Sequence, residues 1–147
     1  MSRGDIPGEV IIEVFERDDG CLAPRLGGTA MDCWGRNGIE HVKAEPRMGV
    51  RAEPLSTRLV CLCDGHREPG MKAGYVWATD KGNRNLCRGY LDVWALFITV
   101  YNRRRWQAYL RTSAPTFGGR TAGSLIAAGR ADEVVAALDQ LASGVFV

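Results

Sequence analysis

The side chains best suited to chemistry in this chain are five cysteines and two histidines. Cys63 and His66 form a Cys-x-x-His pair. Two ligands separated by two residues can grip one ion from a single turn. Cys21 and Cys33, with eleven residues between them, are the partners such a pair needs. Their loop contains Pro24, Gly27, Gly28 and Gly35 and can bend as required. A zinc knuckle normally has two short pairs, and this chain shows one. The odd cysteine count, with no apolar export segment among Met1 to Gly8, argues against a secreted disulfide framework. In a reducing compartment the options are metal ligands, buried core thiols or a reactive thiol. Cys61 sits in the apolar run Leu59-Val60-Cys61-Leu62 and reads as a core thiol, as does Cys87.

A second constellation is Glu40-His41-Val42, a carboxylate beside an imidazole on an expected strand. A histidine can take a proton from water while an acidic group helps hold a divalent ion against a scissile phosphate. Adjacent strand residues point to opposite faces, so sharing one site requires a twist or turn. Asn83 could supply an amide ligand. Residues 36–88 carry ten Lys or Arg against six Asp or Glu. Arg36, Lys43, Arg47, Arg51 and Arg84 are candidates for phosphate contacts, which position DNA without reading its sequence.

Several elements must position these groups. Residues 9–17 read as a strand or a short helix, followed by the turn signal Asp18-Asp19-Gly20. Residues 35–43 read as a turn entering a strand. Residues 57–63 are apolar and compact, compatible with a helix capped by Ser56 or Thr57. Residues 73–78 favour a strand, and 83–91 a helix. Beyond about residue 93 the pattern is helical: Trp94, Phe97, Ile98 and Tyr101 share a face. Thr121 suits an N-cap, Gly129 a stop, and Asp132 and Glu133 the start of a last helix. Val134, Val135, Leu138 and Leu141 form its apolar stripe, and Gly144 its C-terminal cap. A soft boundary is expected near Tyr90 to Asp92. The chain has 147 residues, 46% apolar and 24% charged, which fits one domain or two very small ones. No apolar run approaches the roughly 20 residues of a membrane span, so a soluble, cytoplasmic protein with no membrane partner is expected. The net charge of +2 does not by itself announce a nucleic-acid partner.

The order Arg17 to Pro24, Glu40 to Lys43, Pro46 to Gly49, Leu59 to His66, Trp77, Asn83-Arg84 and Tyr90-Leu91 resembles phage and actinobacterial HNH endonucleases. The resemblance covers roughly residues 10–92. It implies a small ββα-metal module with a structural zinc on Cys21, Cys33, Cys63 and His66. It also implies a general base at His41, a catalytic ion such as Mg²⁺ near Glu40, and double-stranded DNA as substrate. Two positions depart from the family pattern: Arg67 stands where a metal-binding histidine is often found, and Arg58 where an asparagine is expected.

Residues 106–147 resemble the toxin-binding C-terminal domain of Xre/ParS-type antitoxins, most of all in Gly118-Gly119-Arg120-Thr121 followed by a short helix, a glycine and a final amphipathic helix. Ala122 replaces the usual proline. The resemblance implies capture of a RES-type, NAD-degrading toxin through Gly119, Arg120, Gly144, Val145 and Phe146. The expected fold class is therefore α+β: an HNH-like zinc-containing module over residues 1–92 and a compact helical module over 93–147. The expected function is DNA cleavage or nicking. The alternative is a non-enzymatic protein that neutralises a partner.

Overall fold

A computed structural model describes residues 6–28, 30–42, 54–67 and 80–144. Among these, helices dominate and one two-stranded sheet is present. The elements are α1 (Gly8–Asp18), β1 (Asn37–His41), β2 (Leu59–Cys63), α2 (Asp64–Arg67), α3 (Lys81–Val100), α4 (Trp106–Arg111), α5 (Ala122–Ala127) and α6 (Ala131–Ala142). Short 3-10 turns occupy Ala23–Arg25, Ala30–Asp32, Leu55–Arg58, Arg103–Arg105 and Pro115–Phe117. No helix among the described residues is long and apolar enough to cross a membrane.

The ambiguous segment 9–17 is helical. Asp19 ends α1 in the left-handed region (φ 51°), its N–H donating to Phe15 O. The run expected to start a helix at Ser56 or Thr57 instead makes one 3-10 turn and then strand β2. A short apolar run looks the same as a buried strand or a helix interior. Tertiary pairing decides here. β2 pairs antiparallel with β1, Ile39 opposite Cys61 and His41 opposite Leu59. On its other edge, Leu22 N donates to Cys61 O, while Asp18 Oδ2 accepts from Cys61 N. With both edges occupied, β2 is buried along its whole length, and neither edge is open to another strand. The expected strand over residues 73–78 lies outside the described residues.

The two helical stretches anticipated on either side of Asp92 are one continuous helix, α3, capped by Asp80 Oδ1 accepting from Asn83 N. Residues 92 and 93 lie mid-helix. One apolar cluster includes Leu22, Leu26, Val60 and Leu62 from the front of the chain and Leu125, Ile126, Val134 and Leu138 from its end. Helix α6 rests on α3 at close range, because Gly89 leaves room for Ala131; a Cβ on Gly89 would stand 2.8 Å from that methyl. The indole of Trp106 meets Tyr90, Trp94 and Phe97 edge-on, with centroids 5.1–5.4 Å apart. Such aromatic pairs contribute beyond their area burial.

A buried polar network fixes α1 to β2 and to α3. Arg17 and Asp18 have fully buried side chains and pair at 2.7 Å. The Arg17 guanidinium also donates to Ser56 O and Leu59 O, and lies over the Tyr90 and Trp94 rings. Tyr90 Oη donates to Asp18 Oδ1 at 2.7 Å, and Trp106 Nε1 donates to Tyr90 Oη. Breaking a buried pair from one side leaves an uncompensated charge. Asp18→Ala is therefore expected to destabilise the fold by about 3–5 kcal/mol in denaturant unfolding. Ile12→Ala, on the exposed face of α1, should stay within about 0.5 kcal/mol. Equal, small effects from both would contradict this role for Asp18.

Candidate metal centre

Cys21, Cys33, Cys63 and His66 bring one donor atom each to a common point, all within 4.8 Å of one another. His66 Nδ1 lies 3.1 Å from Cys63 Sγ, 3.5 Å from Cys33 Sγ and 3.6 Å from Cys21 Sγ. A tetrahedral ion with sulfur at about 2.3 Å and nitrogen at about 2.0 Å sets sulfur–nitrogen edges of roughly 3.5 Å. The four residues thus form a Cys3His cluster that can hold a metal ion such as zinc. His66 is fully buried and Cys63 nearly so. Cys61 and Cys87 stand apart as buried core thiols, as expected.

Three segments deliver the ligands. The chain reverses at Asp19 and Gly20, and the Leu22-to-Cys61 hydrogen bond sets Cys21 along the edge of β2. Cys63 ends β2, and α2 follows at once, placing His66 one turn on. Cys33 directly follows the 3-10 turn Ala30–Asp32, whose end lies directly on α2. A Cβ on Gly65 would meet Asp32 O at 2.1 Å, so only glycine admits this contact. Gly35, at φ +75°, lets the chain turn under Asp64, whose Oδ2 accepts from Arg36 N at 3.0 Å. Asp64 also pairs with Arg67 at 2.6 Å, and the Arg67 guanidinium covers Gly38 of β1 so closely that any Cβ there would overlap it. Arg67 therefore ties α2 to β1. The sequence signal for these supports is the Asp-Gly inside Cys63-Asp64-Gly65-His66.

The thiols differ in their readiness to ionise. Burial raises Cys21 against the pull of the Cys63 and Ala23 N–H groups. Burial, then the neighbouring Cys21, pushes Cys33 up to about 12. Burial also works against Cys63, but backbone N–H groups of Trp34 and His66 and the two adjacent thiols outweigh it, so its thiol lies below the usual range. A cation in the centre would compensate all three charges at once.

The other anticipated site residues fall elsewhere. Glu40 and His41 are half-buried neighbours on β1. Strand alternation turns His41 to the face of Ile39, Leu59 and Cys61, and Glu40 to the face of Val60. His41 lies at the end of the hairpin away from the cluster, about 13 Å along the strand at about 3.3 Å per residue. Asn83, on the first turn of α3, sits beside Gly27. Arg36 is exposed, Arg84 is half-buried on α3, and Lys43, Arg47 and Arg51 lie outside the described residues. Gly119 and exposed Arg120 form the turn closed by the Ser113–Thr121 bridge. Gly144 ends α6 at φ +72°, and Val145 and Phe146 lie outside the described residues. No family model, no characterised protein and no solved structure matches this chain.

Each of Cys21→Ser, Cys33→Ser, Cys63→Ser and His66→Ala is expected to lose bound zinc and melt earlier. Cys61→Ser should keep the zinc, read by elemental analysis of purified protein. Because ion binding must displace protons from Cys21 and Cys33, zinc affinity in chelator competition should be higher at about pH 8 than at about pH 6. A flat pH profile would argue against thiolate ligation.

Proposed function

We propose that the protein is a zinc-stapled, HNH-like endonuclease that hydrolyses phosphodiester bonds of double-stranded DNA. The observation that carries this reading is the order of parts: β1 ending on His41, an antiparallel β2, then α2, with a Cys3His cluster at the opposite end of the hairpin. In this reading the zinc is structural. It lies too far along the strand for His41 to act on a water bound to it.

His41 accepts the proton of the attacking water, which is general-base work suited to an imidazole. A divalent ion such as Mg²⁺, when bound, supplies stabilisation of charge on the phosphate oxygens. Glu40 and Asn83 are the candidate ligands for it. Since Glu40 points away from the His41 face, His41 is the residue on which the proposal rests. Arg36 and Arg84 would hold phosphates and set the register of the duplex.

The packing also bears on the alternative of a separable antitoxin-like module. Most large apolar side chains of α5 and α6 pack on α3 and on one another, with Leu125, Ile126, Val134 and Leu138 buried, while Leu141 of the expected α6 stripe is exposed. That packing gives α4 to α6 a scaffold role, and leaves the end of α6 at Leu141 as the exposed apolar part of this segment among the described residues.

Incubation of supercoiled plasmid with the zinc-loaded chain and Mg²⁺ or Mn²⁺ should yield nicked or linear product. His41→Ala should reduce the rate by about 100-fold or more while zinc content and circular dichroism stay unchanged. Undiminished cleavage by that variant would remove His41 as the base. No cleavage by the unaltered protein with either ion would remove the enzymatic reading.

A further inference from the structure

The four donors of the cluster are not equally sheltered. His66 is fully buried and Cys63 is 3% exposed, whereas Cys21 and Cys33 are half-buried. The rim on the Cys33 side is open: Met31, Trp34, Gly35 and Arg36 are exposed. Cys61 and Cys87 are closed off in the core at 0% and 4% exposure. A small polar oxidant therefore reaches the cluster at Cys33 and Cys21 before any other sulfur.

The ligands are also held differently. Cys63 is the last residue of β2, paired with Asn37, and its sulfur receives the N–H groups of Trp34 and His66. Cys21 and Cys33 stand outside the strands. The eleven residues between them form two 3-10 turns among those described. Their sulfurs lie within 4.8 Å of each other. A disulfide bond is about 2 Å long, so closing it requires an approach of roughly 3 Å at most.

We propose that Cys33 is an oxidation site with Cys21 as its resolving thiol, and that this pair is a peroxide-sensitive latch on the metal. Coordinated cysteines are held as thiolates, the reactive form. The Cys33 thiolate attacks one oxygen of hydrogen peroxide. The O–O bond breaks, hydroxide leaves and Cys33 becomes a sulfenic acid. The Cys21 thiolate then attacks that sulfur, the S–O bond breaks and a second hydroxide leaves as the S–S bond forms. Two solvent protons convert the hydroxides to water. The two thiolates have lost two electrons and the peroxide has gained them. Cys63 and His66 alone cannot complete a closed tetrahedral site, so the ion departs and takes its share of the folding free energy with it. His41 plays no part, and the proposal is independent of the nuclease reading.

The test treats the zinc-loaded full chain with hydrogen peroxide. Zinc release is followed with a chromophoric chelator, and peptide mass spectrometry maps the bonds formed. About one zinc per chain should appear as a Cys21–Cys33 disulfide forms, with Cys61 and Cys87 still reduced. A thiol reductant plus zinc should restore the starting state. Cys33→His keeps a fourth donor and removes the reactive sulfur, and should slow release by about tenfold or more. Cys61→Ser should release zinc at the unaltered rate. A disulfide that includes Cys63, release without any disulfide, zinc that stays bound, or equal release from the Cys33→His protein would each overturn the assignment. If the Cys33→His protein takes up no zinc, the bond map of the unaltered chain decides alone. An unaltered chain that carries no zinc before peroxide is added overturns the proposal together with the metal centre.

Discussion

Three sulfur atoms and one imidazole nitrogen from separate segments share a space that a single ion would fill, and the front half of the molecule is organised by that constraint. Thiols this close, one buried and two half-buried, resist ionising together without a counter-charge. The opposed shifts at Cys33 and Cys63 express that competition. A bound ion replaces it with attraction to all four donors, and site assembly then becomes part of the folding free energy. The glycines at 35 and 65 follow from the same demand, since the Cys33 loop must lie almost in contact with α2.

The cluster is connected to the helical scaffold through β2. That strand is held on one edge by β1 and on the other by Asp18 and Leu22. Asp18 in turn is gripped by Arg17 and by Tyr90 of α3, and Tyr90 accepts from the indole of Trp106. A continuous polar path thus runs beneath the strand that ends in Cys63. Residues 92 and 93 lie within α3, a helix that both parts of the chain pack against. The front segment is too small to bury its strands alone, so it uses α3 as its other wall, while α5 and α6 cover the rest of that helix.

Much of the candidate centre was legible in the sequence because ligand chemistry depends on residue type and spacing. Cys63 and His66 declare themselves at i and i+3. Cys21 and Cys33 follow as the remaining cysteines on a bendable loop. Cys61 and Cys87 read as core thiols from their apolar neighbours. Helix boundaries near Thr121, Asp132 and Gly144 were also readable, because capping is local. The identity of residues 59–63 was not, since five apolar residues suit a buried strand or a helix equally until pairing partners are known. The continuity of α3 was hidden by Gly89 and by Arg88 and Asp92, whose charges suggest a surface. In the fold they form a buried pair at 3.1 Å that also reaches Thr57 O. The roles of Arg17 and Asp18 depend on contacts distant in sequence, which no local pattern records.

X-ray absorption at the zinc edge of the purified chain tests the central claim most directly. Three sulfur ligands at about 2.3 Å and one nitrogen at about 2.0 Å are the expected shell. A folded protein without metal, or a zinc surrounded only by oxygen and nitrogen, would contradict it.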